Sequence, residues 1–253
     1  MRSTIAGTTL PVLRVMLDDG ERLIAETGEL SWKTPNVDLA TTTSGAGNAG
    51  FFGAMRRSLA GGGLFMTEFT ARGGPGLVAF AAKIPGAIVE HAVGGGRSML
   101  VHRHGFLCAT PGVTLDLAFQ RSLGAGIFGG DGFRLQKVSG QGMFWSMLGG
   151  EVIPHDLAPG EAVDVHPGLV GMFEDTVSFD ITMLPGIRNK LFGGDGFFLA
   201  RLTGPGRVWL QTLTAPGLAH ALAPYLGMEG VTATAEGSLL GAAVSGLIRH
   251  VRK

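Results

Sequence analysis

The tripeptide His102-Arg103-His104 holds the side chains best suited to chemistry. In a strand, residues two apart face one side, so both imidazoles would bind one metal or face one pocket. His166 follows His102 at an interval of 64 residues, a recurrence that strand geometry explains without chemistry. Asp131 stands among Gly129, Gly130 and Gly132, and Asp195 among Gly193, Gly194 and Gly196. Each carboxylate has the chemistry of a metal ligand or a general acid. An aspartate between glycines is equally a turn residue, because it accepts local backbone hydrogen bonds and tolerates left-handed backbone. No base adjoins either one, as acid–base catalysis would need. The glycine runs also lack the Gly-Lys-Ser/Thr of a phosphate loop, and no Gly-x-Ser-x-Gly elbow occurs. Cys108 lies in the apolar run Gly105-Phe106-Leu107-Cys108-Ala109, where a thiol behaves as an inert small hydrophobe. These residues assign no catalytic group, no cofactor and no metal, and leave His102, His104 and His166 as the metal candidates to locate.

The elements that carry these residues are written as a repeat. Ile127-Phe128-Gly129-Gly130-Asp131-Gly132-Phe133 recurs as Leu191-Phe192-Gly193-Gly194-Asp195-Gly196-Phe197, and Trp145 and Trp209 keep the same 64-residue offset. Ser139-Gly140-Gln141-Gly142 answers Thr203-Gly204-Pro205-Gly206, so each run is followed by a strand, a glycine turn and a second strand. A third copy runs upstream from Leu59-Ala60-Gly61-Gly62-Gly63 to Gly73-Gly74-Pro75-Gly76, with a turn two residues longer. Gly20-Glu21-Arg22, Gly96-Arg97-Ser98 and Gly160-Glu161-Ala162 form another landmark found three times. The units so defined are roughly 16–80, 92–148 and 156–213. Phe133, Leu135 and Lys137, or Val163, Val165 and Pro167, sit at period two within them, and glycines break any helical period. Short strands joined by tight glycine corners follow. Residues 215–253 differ: Leu218-Ala219-His220-Ala221-Leu222 and Ser238-Leu239-Leu240-Gly241-Ala242 read as helix, and the end is basic.

Composition agrees. Glycine supplies 43 of 253 residues and hydrophobic residues 45%, which describes a folded, turn-rich chain able to bury its own core. Twenty basic residues balance twenty acidic ones, so no net field attracts nucleic acid, and the arginines form no stripe interleaved with aromatics. One cysteine excludes an internal disulfide, the first residues lack a signal-peptide core, and no 18-residue apolar stretch occurs, so the expected place is the cytoplasm.

The blocks Gly129-Gly130-Asp131-Gly132-Phe133-Arg134-Leu135-Gln136-Lys137 and Gly204-Pro205-Gly206-Arg207-Val208-Trp209-Leu210-Gln211-Thr212 resemble the altered-inheritance-of-mitochondria (mitochondrial biogenesis) family. The resemblance covers about residues 10–214. It implies a fold like that of the tryptophan RNA-binding attenuation protein, a double-stranded β-helix or sandwich, assembled into homo-oligomers and without established enzymatic activity. The first unit departs from the pattern, with Gly63 where the others have Asp131 and Asp195. Gly96 followed by five residues and His-x-His also resembles the first motif of the metal-binding cupins. Cys108 and Ala109 then occupy the stretch in which that motif places its glutamate.

The expectation is an all-β protein: residues 1–214 as one β domain of three repeats in a pseudo-threefold arrangement, and residues 215–253 as a helical tail. Its expected role is that of a non-enzymatic, homo-oligomeric scaffold or adaptor, peripheral at a membrane surface or bound to a protein partner through the tail. The alternative is a cupin-like metal-dependent enzyme or a small-ligand-binding protein.

Overall fold

Alternation along the chain becomes alternation of burial. In Val12–Leu17, Leu13, Val15 and Leu17 are fully buried while Arg14 points to solvent, the two-residue period of a strand with one face on a core. The computed structural model describes residues 1–43, 65–121, 133–183 and 198–226. The turn residues Gly129, Gly130, Asp131, Gly132, Gly193, Gly194, Asp195 and Gly196 lie outside the described residues, as does the tail beyond 226.

The first unit holds β1 (Arg2–Ala6), β2 (Val12–Leu17), β3 (Arg22–Glu26), β4 (Trp32–Lys33), β5 (Val37–Thr43), β6 (Phe65–Ala71) and β7 (Gly76–Ala81). The second holds β8 (Gly86–Val93), β9 (Met99–His102), β10 (Phe106–Ala109), β11 (Val113–Arg121), β12 (Phe133–Gly140) and β13 (Gly142–Gly149). The third holds β14 (Val152–Leu157), β15 (Ala162–Val165), β16 (Val170–Glu174), β17 (Ser178–Met183), β18 (Phe198–Thr203) and β19 (Gly206–Gln211). Helix α1 (Ala215–Leu222) follows, with Thr214 as its N-cap and Pro216 in its first turn. The fold is all-β and sandwich-like, with one short C-terminal helix, as the sequence implied. Each unit opens with a strand that precedes the glycine landmark, so the structural repeats begin at Val12, Gly86 and Val152, earlier than the landmarks suggested. Pro167 is not in a strand: it opens the 3₁₀ turn Pro167–Leu169, where proline lacks an N–H to pair.

Every described ladder is antiparallel, and the strand order repeats. Within a unit the strands form two half-sheets, β2-β7-β4 and β5-β6-β3 in the first, β8-β13-β10 and β11-β12-β9 in the second, β14-β19-β16 and β17-β18-β15 in the third. Half-sheets of successive units then fuse. β3 pairs with β10, Ala25 opposite Cys108, and β9 pairs with β16, Val101 opposite Met172. Two six-stranded sheets result, each built from two units. The core follows the fusion: Leu13, Val15 and Phe80 of the first unit pack with Leu107 and Trp145 of the second. Leu135 and Phe133 of the second pack with Phe173 and Val208 of the third.

The third junction, between β15 and β4, is not made by strand pairing. The residues explain why. β10 is Phe-Leu-Cys-Ala and buried throughout, and Val170–Phe173 of β16 are buried likewise, whereas β4 is Trp32-Lys33 with Trp32 46% exposed. A lysine and a half-exposed indole do not supply the apolar surface that draws a strand between two neighbours.

The hairpin glycines have a structural cause that recurs. At Gly142 and Gly206 φ is +151° and +144°, and a Cβ at either would press on a threonine hydroxyl, that of Thr110 or Thr176. The Thr110 hydroxyl accepts from the Met143 N–H at 3.1 Å, and Thr34 plays the same part for the Leu77 N–H at 3.0 Å. In the third unit the Glu174 carboxylate accepts from the Arg207 N–H at 2.9 Å. Each time, a side-chain oxygen satisfies the first donor after the glycine. Among the described residues no helix is long and apolar enough to cross a membrane.

Candidate functional site

Six residues after the repeat glycines Gly20, Gly96 and Gly160 stand Glu26, His102 and His166. Glu26 and His102 end β3 and β9, and His166 directly follows β15. The repeat thus delivers one polar side chain per unit to equivalent strand ends. The recurrence of His102 and His166 was legible as a spacing; Glu26 was missed, although the same spacing from Gly20 finds it.

His104 is not on the strand face of His102. The chain turns at Arg103–Gly105, closed by a hydrogen bond from the Gly105 N–H to the His102 carbonyl at 2.7 Å. Gly105 permits the turn, since a Cβ there would come within 2.6 Å of Val101 Cγ1 and 2.8 Å of His102 Cδ2. His104 is left exposed. The His102 Nε2 is closed off from solvent and carries no hydrogen bond. Burial, with a smaller contribution from the neighbouring His104, holds the His102 pKa down to about 4, so the ring is neutral at pH 7. His166 caps the 3₁₀ turn, its Nδ1 accepting from the Gly168 N–H at 3.3 Å, and burial lowers its pKa too. All three histidines border one cavity of about 580 Å³. Among the described residues, no three His, Cys, Asp or Glu side chains are grouped to hold a metal ion.

The cavity of about 580 Å³ is bordered by strand ends and turns. All three units contribute: the segment after β7, the β9–β10 turn with the start of β12, and the turn after β15 with α1. Its walls are apolar, with Ile84, Leu107, Phe133, Met147, Val170 and Leu213 among them. Cations border it at Lys83, Arg103 and Arg134, and Glu29 is its carboxylate among the described residues. Lys83 Nζ and Glu29 Oε1 pair at 2.6 Å. The Arg134 Nε is buried without a hydrogen-bond partner. A second cavity of about 490 Å³ shares Glu29, Arg103 and His104 and reaches Glu26 and Gln136. There Gln136, 1% exposed, donates from Nε2 to Glu26 Oε1 at 2.6 Å. Burial raises the Glu26 pKa, with the Gln136 hydrogen bond opposing it.

Cys108 sits in β10, wholly buried, and burial pushes its thiol pKa well up. It has no thiolate to offer as a nucleophile. Asp131 and Asp195 lie outside the described residues.

The outer strands show another feature. Ile5 (45% exposed) in β1, Trp32 (46%) in β4, Leu39 (47%) in β5, Leu117 (42%) in β11 and Ile153 (49%) in β14 are large apolar side chains in water. Among the described residues, each of these strands is a sheet edge.

An uncharacterized protein of Streptococcus pyogenes serotype M6 is 26% identical over 231 residues, covering 89% of this chain and 91% of its own. A crystal structure of a Streptococcus pyogenes protein superposes with a TM-score of 0.69 at 22% identity, over 88% of this chain and 99% of that one. That likeness carries the fold. The sequence profile of the family described as mitochondrial biogenesis AIM24 matches residues 3–213.

Proposed function

The chain belongs to the mitochondrial biogenesis AIM24 family, and we propose that it is a non-enzymatic scaffold that works by assembling with further copies of itself. The observation that carries this reading is the concentration of large exposed apolar side chains on edge strands, Leu39 on β5 and Leu117 on β11 in particular. An edge strand offers unpaired N–H and C=O groups, and natural proteins usually guard it with charge, proline or a covering element. An apolar side chain there instead rewards pairing with a second copy. The sealed thiol of Cys108 and the neutral, enclosed ring of His102 support the non-enzymatic part. The cytoplasm is its proposed place, and the apolar tail with its basic end supports peripheral attachment to an anionic membrane surface.

Light scattering on the full chain tests assembly. An oligomer is expected, and the double variant L39K/L117K is expected to shift it toward monomer without loss of secondary structure. A wild-type monomer at all concentrations would overturn the reading.

A further inference from the structure

We propose that β4 of one copy pairs with β15 of a second copy, making between chains the junction that the chain makes as β3–β10 and β9–β16 and leaves unmade between its third and first units. This junction presupposes the self-assembly proposed above and names one of its interfaces.

The repeat fixes the register. Ile24, Leu100 and Asp164 stand four residues after the landmark glycines Gly20, Gly96 and Gly160, so they hold one position on β3, β9 and β15. Val78, Phe144 and Val208 stand two residues after the hairpin glycines Gly76, Gly142 and Gly206, and across their ladders they face Lys33, Ala109 and Phe173. At the two junctions within the chain these series lie opposite one another: Ala109 faces Ile24, and Phe173 faces Leu100. The third pair is then Lys33 opposite Asp164. At the adjacent position Cys108 faces Ala25 and Met172 faces Val101, which sets Trp32 opposite Val165.

Charge selects the occupant. The apolar pair of the first two junctions becomes an opposite-charge pair at the third, and opposite charges facing one another across strands stabilise a ladder where like charges oppose it. Lys33 Nζ bonds the Thr34 carbonyl at 3.3 Å and makes no ion pair among the described residues. Asp164 accepts two hydrogen bonds from Arg201 of β18, at 2.8 and 2.7 Å, and its side chain stays 39% exposed. Lys33 of a second copy therefore completes a row of alternating sign across three strands. Trp32, 46% exposed, gains a β-branched neighbour in Val165. A second copy carries these residues in the required register by construction.

A lysine and a half-exposed indole suit a junction between finished chains better than one inside a core, since interfaces between separately folded chains are about as polar as the rest of the surface. Among the described residues β4 and β15 are edges of separate sheets. A twofold pair of copies makes the junction twice.

Zero-length crosslinking of the wild-type full chain with a water-soluble carbodiimide tests it, because the reagent joins an amine to a carboxylate only where the two touch. The Lys33–Asp164 amide is expected in the covalent dimer band and not in the monomer band, read by mass spectrometry of each. Lys33→Glu, which sets like charges opposite, is expected to weaken self-association by about fivefold in sedimentation, and Lys33→Arg to leave it unchanged. The crosslink needs no variant, so it decides if Lys33→Glu fails to fold. An oligomer whose dimer band lacks the amide overturns this junction and leaves self-assembly standing. The amide in the monomer band means closure within one chain and overturns it too. Self-association untouched by Lys33→Glu overturns the charge pairing, and a wild-type monomer at all concentrations overturns both this junction and self-assembly.

Discussion

Gly142 gives the sharpest test of how the repeat is held. Two separable penalties meet there. Its φ of +151° is one that L residues rarely adopt, and the strain of placing a side-chain-bearing residue in such a region is about 1–3 kcal/mol. A Cβ would also collide with Thr110 Oγ1 and lie 3.2 Å from Val113 Cγ2, and overpacking of this kind costs about 1–3 kcal/mol. The hydroxyl cannot retreat freely, because it holds the Met143 N–H at 3.1 Å, a bond whose net worth is about 1 kcal/mol. Gly142→Ala should therefore destabilise the protein by about 3–5 kcal/mol. Gly96→Ala is the control, since its φ is +83° but nothing lies within 4 Å of its Cβ; it should cost about 1 kcal/mol. Thr110→Ala alone should cost about 1 kcal/mol, and combined with Gly142→Ala it should recover part of the loss, a sub-additive pair. Urea midpoints of the four variants decide it. Equal effects of Gly142→Ala and Gly96→Ala would refute the collision, and strict additivity with Thr110→Ala would refute its partner.

Three further outcomes follow from buried polar groups. His91, 9% exposed, bonds the Ser146 hydroxyl at 3.1 Å and stacks on Phe144, and burial lowers its pKa to about 4. Between pH 6.5 and 4 the unfolded state carries the proton that the folded ring refuses. Stability is therefore full above pH 6.5 and declines by about 3 kcal/mol as pH falls to 4; urea titrations should show a shallower decline in His91→Gln. Glu26 has a raised pKa, so its ionisation above that value opposes folding; Glu26→Gln should be more stable than wild type at pH 7, with the gain shrinking as pH falls through the raised value and gone below about 4.5, as thermal melts at pH 7 and pH 4 will read. Trp145 Nε1 donates to Glu90 Oε2 at 2.8 Å, and Ser3 Oγ donates to the same oxygen at 2.9 Å. Trp145→Phe should cost about 1 kcal/mol and Ser3→Ala less, by chemical denaturation, because Glu90 remains in water.

The strands were legible because glycine punctuation and two-residue alternation are local signals. The fusion of half-sheets across units was not, since nothing in Ile24-Ala25 or Cys108-Ala109 marks which apolar strand will become its neighbour. The repeat did carry more than was read from it. The spacing from Gly20 singles out Glu26, and Thr34-Pro35 and Thr110-Pro111 announce the hydroxyls that meet the hairpin glycines. His102-Arg103-His104 misled because a strand pattern was extended one turn too far: the strand ends at His102, and the turn closed at Gly105 ends the alternation that would have paired the rings. Lys83, Arg103 and Arg134 are scattered along the chain, so their meeting at one cavity is a property of the fold. Only the fold shows which junction β4 withholds.

Hydrogen exchange followed as a function of protein concentration tests the scaffold reading most directly. The amides of β5 and β11 should gain protection as concentration rises, while β7 and β13, inside their sheets, hold the same exchange rates throughout. Exchange at β5 and β11 that is independent of concentration would contradict assembly through these edges.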